Sequence, residues 1–153
     1  METSYYQKVT EERYYDRFES TLVNQKCLSI VRRENDWLIE FSEDAFIELY
    51  VPWRIVSGGR IVFSDEDDGQ LFGLSEPKNG EEIAKSFLRS KKISTVTTDR
   101  ETGDLSLLFS GGSRLDAFSN SAGYEAWRAQ YKFEQSTHNF VALGGGEIAF
   151  LSS

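Results

Sequence analysis

The sequence predicts an α+β fold in which two similar antiparallel β-meanders form one curved sheet or a sandwich. The first observation is an internal repeat, because residues 37–50 and 105–118 align without a gap and share the alternation of half-buried strands. The second is aromatic content, which at 14% of 153 residues supplies bulky side chains for a real core. The third is a pair of amphipathic stretches, near the N-terminus and mid-chain, that predict helices.

The repeat extends beyond the aligned segments. Three short echoes occur in the same order in both copies: Phe41-Ser42 and Phe109-Ser110, Trp53-Arg54 and Trp127-Arg128, and residues 58–63 and 145–150. We therefore predict a duplication within a single domain spanning 1–153. Its halves, 28–64 and 93–152, are joined by a hairpin and a helix at 65–92. The alternative is two unrelated meanders of similar pattern. Matched strand faces predict four core residues: Ile39, Phe41, Leu107 and Phe109.

The first half begins with a helix over 10–24, where Tyr15, Phe18 and Leu22 share one stripe. Strands are predicted at 27–32, 37–42, 46–51 and 60–64. Pro52 ends the third of these, because proline cannot donate to a central ladder.

The connection between the halves starts with an acidic turn at 65–69, followed by a return strand at 70–74. Asn79 and Glu82 resemble a capping box and open a helix that reaches about Lys91. The second half is predicted to contain strands at 93–98, 104–110, 114–118, 131–134, 139–143 and 147–151, with a helical turn at 124–129.

Charge and composition restrict the partners. The formal net charge is −8, which disfavours nucleic acid and anionic membranes and favours a basic protein. A lone cysteine, Cys27, forms no internal disulfide and fits a reducing compartment. Residues 1–4 show no secretory signal, and no apolar run approaches a membrane span. We expect a cytoplasmic protein.

Catalytic motifs are scarce in the sequence. His138 is the only histidine and is predicted to lie in a polar loop, so a histidine-based triad has little to draw on. The chain cannot supply the usual ligands of a zinc site, and residues 65–76 fit no EF-hand frame. Gly144-Gly145-Gly146 precedes a strand, unlike a dinucleotide-binding loop. We predict no catalytic residue, metal or cofactor, and no enzymatic activity.

Two segments carry a resemblance to a known family. Tyr124-Glu125-Ala126-Trp127 and the C-terminal 144–150 segment, Gly-Gly-Gly-Glu-Ile-Ala-Phe, resemble those of small bacterial immunity proteins. These belong to polymorphic-toxin and contact-dependent growth inhibition systems. The likeness covers about residues 27–152 and its motifs are structural. It implies a non-enzymatic protein that binds a cognate toxin domain, often a nuclease with a basic cleft, and blocks it in the cytosol.

The candidate toxin-binding residues are acidic. Consecutive acids repel one another and are tolerated where water or a cationic partner screens them. The residues predicted to face the toxin are Glu43, Asp44, Asp65, Glu66, Asp67 and Asp68. Two alternatives stay open. One is a sensor or small-ligand-binding β-domain whose aromatics line an apolar pocket, and the other is an enzyme of unrecognised type.

Overall fold

The computed structural model describes residues 7–152 as two antiparallel sheets and two α-helices, which confirms the predicted α+β class. In chain order the elements are β1 (Gln7–Val9), α1 (Glu12–Leu22), β2 (Cys27–Arg32), β3 (Trp37–Phe41), β4 (Phe46–Leu49), β5 (Trp53–Ser57), β6 (Arg60–Ser64), α2 (Gly80–Leu88), β7 (Ile93–Thr98), β8 (Leu105–Phe109), β9 (Arg114–Ala117), β10 (Trp127–Phe133), β11 (Ser136–Ala142) and β12 (Ile148–Ser152). Short 3-10 segments cover Asp65–Asp67 and Gly144–Gly146. No helix in this part of the chain is long and apolar enough to cross a membrane.

The two halves exchange strands. The seven-stranded sheet has the order β1-β12-β11-β10-β4-β3-β2, and the five-stranded sheet has the order β6-β5-β9-β8-β7. Strands β5 and β6 thus follow β4 in the chain but join β9 of the second half. Strands β10, β11 and β12 follow β9 but join β4 of the first half. Each sheet is therefore built from both halves.

The exchange follows the repeat residue by residue. Trp53 on β5 lies opposite Ala117 on β9, and Trp127 on β10 lies opposite Leu49 on β4. The alignment of 37–50 with 105–118 pairs Leu49 with Ala117. The aligned segments and the Trp-Arg echo therefore occupy equivalent places in the two sheets. The chain crossings match as well: the Tyr50 N–H donates to the Ala126 carbonyl at 3.0 Å, and the Phe118 N–H donates to the Pro52 carbonyl at 3.0 Å.

A second equivalent contact joins the halves where each helix leads into its first long strand. Lys26 and Lys92 form an antiparallel bridge. Two corresponding hydrogen bonds flank the bridge: Asn24 N–H to Ile93 carbonyl at 2.7 Å, and Ser90 N–H to Cys27 carbonyl at 2.8 Å. The two halves therefore make reciprocal contacts at this bridge.

The aligned segments adopt the same strand–turn–strand structure position by position. All four predicted core residues are buried: Ile39, Phe41, Leu107 and Phe109. The third echo, however, is wrong. The hairpin partner of β5 is β6 and that of β10 is β11, so the turn at Gly58 and Gly59 corresponds to the turn at 134–135. Gly145 and Gly146 precede β12, which has no counterpart in the first half.

Three local predictions are also wrong. Residues 53–57 form β5, which the sequence pattern did not indicate, and β10 begins at Trp127 inside the predicted helical turn. The predicted return strand at 70–74 is a turn, in which the Leu74 N–H donates to the Leu71 carbonyl at 2.8 Å. The acidic turn therefore opens a loop and does not belong to a hairpin.

Both sheets and both helices contribute to one hydrophobic core. Helix α1 packs on β7, and α2 packs on β2. The buried stripe of α1 places Phe18 against Trp127 and Phe140, at ring-centroid distances of 5.4 and 4.7 Å. Trp37 packs edge to face on Trp53 at 5.0 Å. These large aromatics thus fill the interior by packing on one another.

Candidate functional site

The Trp-Arg echo forms part of an ion-pair cluster on each sheet. In the seven-stranded sheet, Glu48 accepts hydrogen bonds from Arg33 Nη2 at 2.6 Å, Arg128 Nε at 2.7 Å and the Tyr50 hydroxyl at 2.9 Å. Burial alone would raise the pKa of Glu48, but these donors outweigh it and the pKa is lowered. The carboxylate therefore stays ionised and paired.

Asp116 occupies the matching position in the five-stranded sheet. It accepts hydrogen bonds from Arg54 Nε at 3.3 Å, Arg114 Nε at 2.9 Å and the Ser106 hydroxyl at 2.9 Å. Burial alone would raise the pKa of Asp116, but these donors outweigh it and the pKa is lowered. Because both arginines of the repeated Trp-Arg pair bind a carboxylate of the other half, they hold the exchanged strands together.

The single cysteine and the single histidine are both in the interior. Burial raises the pKa of the Cys27 thiol to about 12, so the thiolate needed for nucleophilic attack does not form near neutral pH. His138 lies buried on β11, which corrects the predicted polar loop. Its ring is 5.2–5.5 Å from those of Tyr131, Phe133 and Phe150. Burial lowers its pKa, so the neutral form is favoured.

The acids at 65–68 are used as local hydrogen-bond acceptors. Three of the four carboxylates bind a backbone N–H: Asp65 Oδ1 with Trp53 at 3.0 Å, Asp67 Oδ2 with Ser64 at 2.9 Å, and Asp68 Oδ1 with Gly80 at 2.8 Å. Asp68 Oδ2 also pairs with Arg32 Nε at 3.0 Å. Glu66 is exposed. The segment therefore ties the end of β6 to the start of β5 and the start of α2.

Glu43 and Asp44 lie elsewhere. They are exposed in the turn between β3 and β4, where the Glu43 N–H donates to Gln25 Oε1 at 3.2 Å. Asp65 lines a cleft with Trp37 and Leu49, at the other end of the same hairpin. The six predicted residues therefore form two groups at opposite ends of this hairpin, 43–44 and 65–68, and they do not make one acidic surface.

The connection at 69–78, here called the apolar loop, was not predicted as a site. Leu71, Phe72 and Leu74 are 50%, 63% and 59% exposed. Large apolar side chains grouped on one surface loop are uncommon unless they mark an interaction site. The sequence signal was present, since Leu-Phe-Gly-Leu stands between an acidic run and a proline. Its alternation, however, indicated a strand.

The apolar loop is closed by two backbone hydrogen bonds at its base. The Gly69 N–H donates to the Lys78 carbonyl at 2.8 Å, and the Lys78 N–H donates to the Gln70 carbonyl at 2.9 Å. Lys78 Nζ lies 5.5 Å from the centroid of the Phe72 ring, within cation–π range. Phe72 has φ +46°, a backbone conformation that bulky residues rarely adopt and that the surrounding contacts must maintain.

Two surface clefts offer less chemistry. The larger, of about 420 Å³, lies between the β2–β3 connection and residues 49–52, and its Arg33 is already paired with Asp36 and Glu48. The second, of about 340 Å³, is lined by Tyr15 and Arg100. Arg100 pairs there with Glu12 and Glu19. Within residues 7–152, no group of three or more His, Cys, Asp or Glu side chains is arranged to hold a metal ion.

Comparison with known proteins gives no match. No family model matches the chain, and no curated protein or solved structure shows significant similarity to it. A functional assignment therefore depends on the surface and interior described above.

Proposed function

We propose that this protein is a non-catalytic inhibitor of the immunity type, which binds a cognate bacterial toxin domain in the cytosol and blocks it. The observation that supports this most strongly is the apolar loop. The loop exposes three large apolar side chains and is closed by its own backbone hydrogen bonds, which lower the cost of ordering it on binding.

The electrostatics favour a basic partner. The chain carries a net charge of −8, and a basic toxin domain is attracted over several ångströms before contact. A nuclease with a cationic cleft is one such partner, because an acidic surface competes with the nucleic-acid backbone for that cleft.

The chemistry of the interior also supports a role in binding. The Cys27 thiol is buried with its pKa raised to about 12, and the His138 ring is enclosed by aromatic rings. Both groups contribute to packing, and neither is placed to contact a substrate. Inhibition by occupying the toxin surface requires no reactive group on this chain.

The test is protection in cells. The product of each gene adjacent to this protein's gene is expressed alone and together with the protein, and growth is recorded; the absence of any toxic product among them would count against the proposal. We expect growth arrest by the toxin alone, recovery on co-expression and a 1:1 complex on size-exclusion chromatography. His138→Phe and Cys27→Ala should protect as well as the wild type. An arrest that co-expression does not relieve, with no complex formed, would refute the proposal.

A further inference from the structure

We propose that the apolar loop is the surface that holds the toxin, with Phe72 as its central anchor. The complementary surface is then an apolar pocket on the toxin rimmed by lysine and arginine. This inference rests on the proposed function and assigns it a site. It differs from the acidic tip predicted from the sequence, because three of those four carboxylates are engaged within the protein.

Charge selects the occupant of the loop. Between residues 65 and 82 the sequence has seven acidic residues and one lysine, so this segment carries a formal charge of −6 out of the chain's −8. Arg32 pairs with Asp68, but acids still outnumber bases in the segment. Apolar side chains in such an acidic segment are disfavoured on anionic membranes, on nucleic acid and on the same surface of a second copy. A basic protein with an apolar pocket complements both the apolar side chains and the acidic residues of this segment.

The acids have two distinct roles. Asp65, Asp67 and Asp68 form the base of the loop, since their carboxylates accept backbone hydrogen bonds from β5, β6 and α2. Glu66, Glu76 and Glu82 are exposed, and they stand before, within and after the loop in the sequence. The exposed glutamates therefore form the rim that meets cations, while the buried apolar contact is made at the centre, as in other interfaces.

Phe72 is the best candidate for the anchor. It is the most exposed of the three loop side chains, and its ring is rigid, so little side-chain entropy is lost on binding. Binding energy in interfaces is concentrated in a few central residues of this kind.

The decisive experiment compares two triple variants by calorimetry or biolayer interferometry. The probe is the purified product of the adjacent gene that arrests growth in the protection test, carrying an inactivating substitution. One variant is Leu71→Ser, Phe72→Ser, Leu74→Ser. Its matched control replaces exposed apolar residues on three strands: Leu28→Ser, Ile61→Ser, Leu108→Ser. We expect the loop variant to bind at least about 100-fold more weakly, and the control within about threefold of the wild type.

A second measurement stays informative if the triple variant folds poorly. Phe72→Trp places a fluorescent side chain on the loop, and Ile61→Trp places one on β6. Adding the toxin domain should shift the emission of the Phe72→Trp protein to shorter wavelength, with no such shift for Ile61→Trp. An unshifted Phe72→Trp spectrum at saturating toxin would overturn the assignment of the loop.

The rim is tested by kinetics. A triple variant should associate about tenfold more slowly than the wild type at low salt, and the difference should disappear at high salt. Its substitutions are Glu66→Gln, Glu76→Gln and Glu82→Gln. An unchanged association rate would contradict the basic rim.

The two proposals fail differently. If the wild type neither binds nor protects, the proposed function is wrong. If it does both and the loop variant binds equally well, only the assignment of the loop is wrong.

Discussion

Two tryptophans at equivalent positions of the repeat differ in one hydrogen bond. Trp127 Nε1 donates to the Gly103 carbonyl at 2.8 Å, whereas Trp53 Nε1 has no hydrogen-bond partner within the described residues. The β7–β8 connection covers 99–104, but the β2–β3 connection covers only 33–36 and is two residues shorter. Trp37 packs on Trp53 instead. The two equivalent positions thus share their packing but differ in the polar contact.

The pair provides a matched measurement of that hydrogen bond. Trp127→Phe should lower the free energy of unfolding by about 1–2 kcal/mol more than Trp53→Phe, because only the first leaves a carbonyl unpartnered. Both rings are fully buried, so the loss of packing is similar. Chemical denaturation of the two variants checks this, and equal destabilisation would contradict it.

His138 should make stability depend on pH. Burial lowers its pKa below the ordinary value of 6.5, the charge of Arg17 adds to that effect, and Glu134 opposes it. The unfolded chain therefore binds a proton more readily, and stability falls as the pH drops from about 7 towards the folded-state pKa. The slope is limited to about 1.4 kcal/mol per pH unit for one proton.

The corresponding variant is His138→Phe. The free energy of unfolding of the wild type should fall more between pH 7.5 and 5.5 than that of the variant, because phenylalanine does not titrate. Denaturant melts at the two pH values give the comparison. Equal losses for both proteins would show that His138 is protonated to the same extent in both states.

At the scale of elements, the acidic segment 65–68 connects the apolar loop to the neighbouring helix and strands. Asp68 is its most connected residue, since it accepts from the Gly80 N–H at the start of α2 and pairs with Arg32 on β2. One carboxylate thus links a loop, a helix and a strand. Removing it should loosen the loop without disturbing the sheets.

We therefore expect Asp68→Ala to cost about 1–2 kcal/mol, the range typical of a lost helix-terminus acceptor. It should also increase cleavage within 69–78 by a dilute protease. Glu66→Ala is the control, because its side chain is exposed and surface substitutions usually change stability by less than about 0.5 kcal/mol. Equal cleavage of the two variants would contradict a bracing role for Asp68.

At the scale of the whole molecule, strand exchange makes the halves interdependent. Each sheet contains strands from both halves, since β4 pairs with β10 and β9 pairs with β5. The ion pairs Arg54–Asp116 and Arg128–Glu48 cross the same boundary. A chain with two similar halves is therefore expected to fold as one cooperative unit.

Unfolding should show this directly. Tryptophan fluorescence and far-UV circular dichroism should report one coincident transition in denaturant, the usual test of two-state behaviour. Trp53 and Trp127 lie in different sheets, so fluorescence senses both. Two separated transitions would mean that the halves unfold independently despite the exchange.

The sequence by itself determined the two matched hairpins and both helices. Period-two alternation in 37–50 and 105–118 gave the matched hairpins and the buried faces of Ile39, Phe41, Leu107 and Phe109. The apolar stripe of Tyr15, Phe18 and Leu22 gave α1, and the Asn79 cap gave the start of α2. These features depend on neighbours within a few residues, so the pattern of the chain contains them.

Only the tertiary structure decided which distant strands pair and what each polar group binds. Alternation specifies the buried face of a strand but not its neighbour, so it could not show that β5 pairs with β9 and β10 with β4. The surroundings of His138 depend on α1 and on β10–β12 together, and the partners of Asp65 and Asp68 come from β5, β2 and α2. The exposure of Leu71, Phe72 and Leu74 followed for the same reason. Burial is a property of the assembled core, and an alternating segment is a strand only where another strand is available to pair with it.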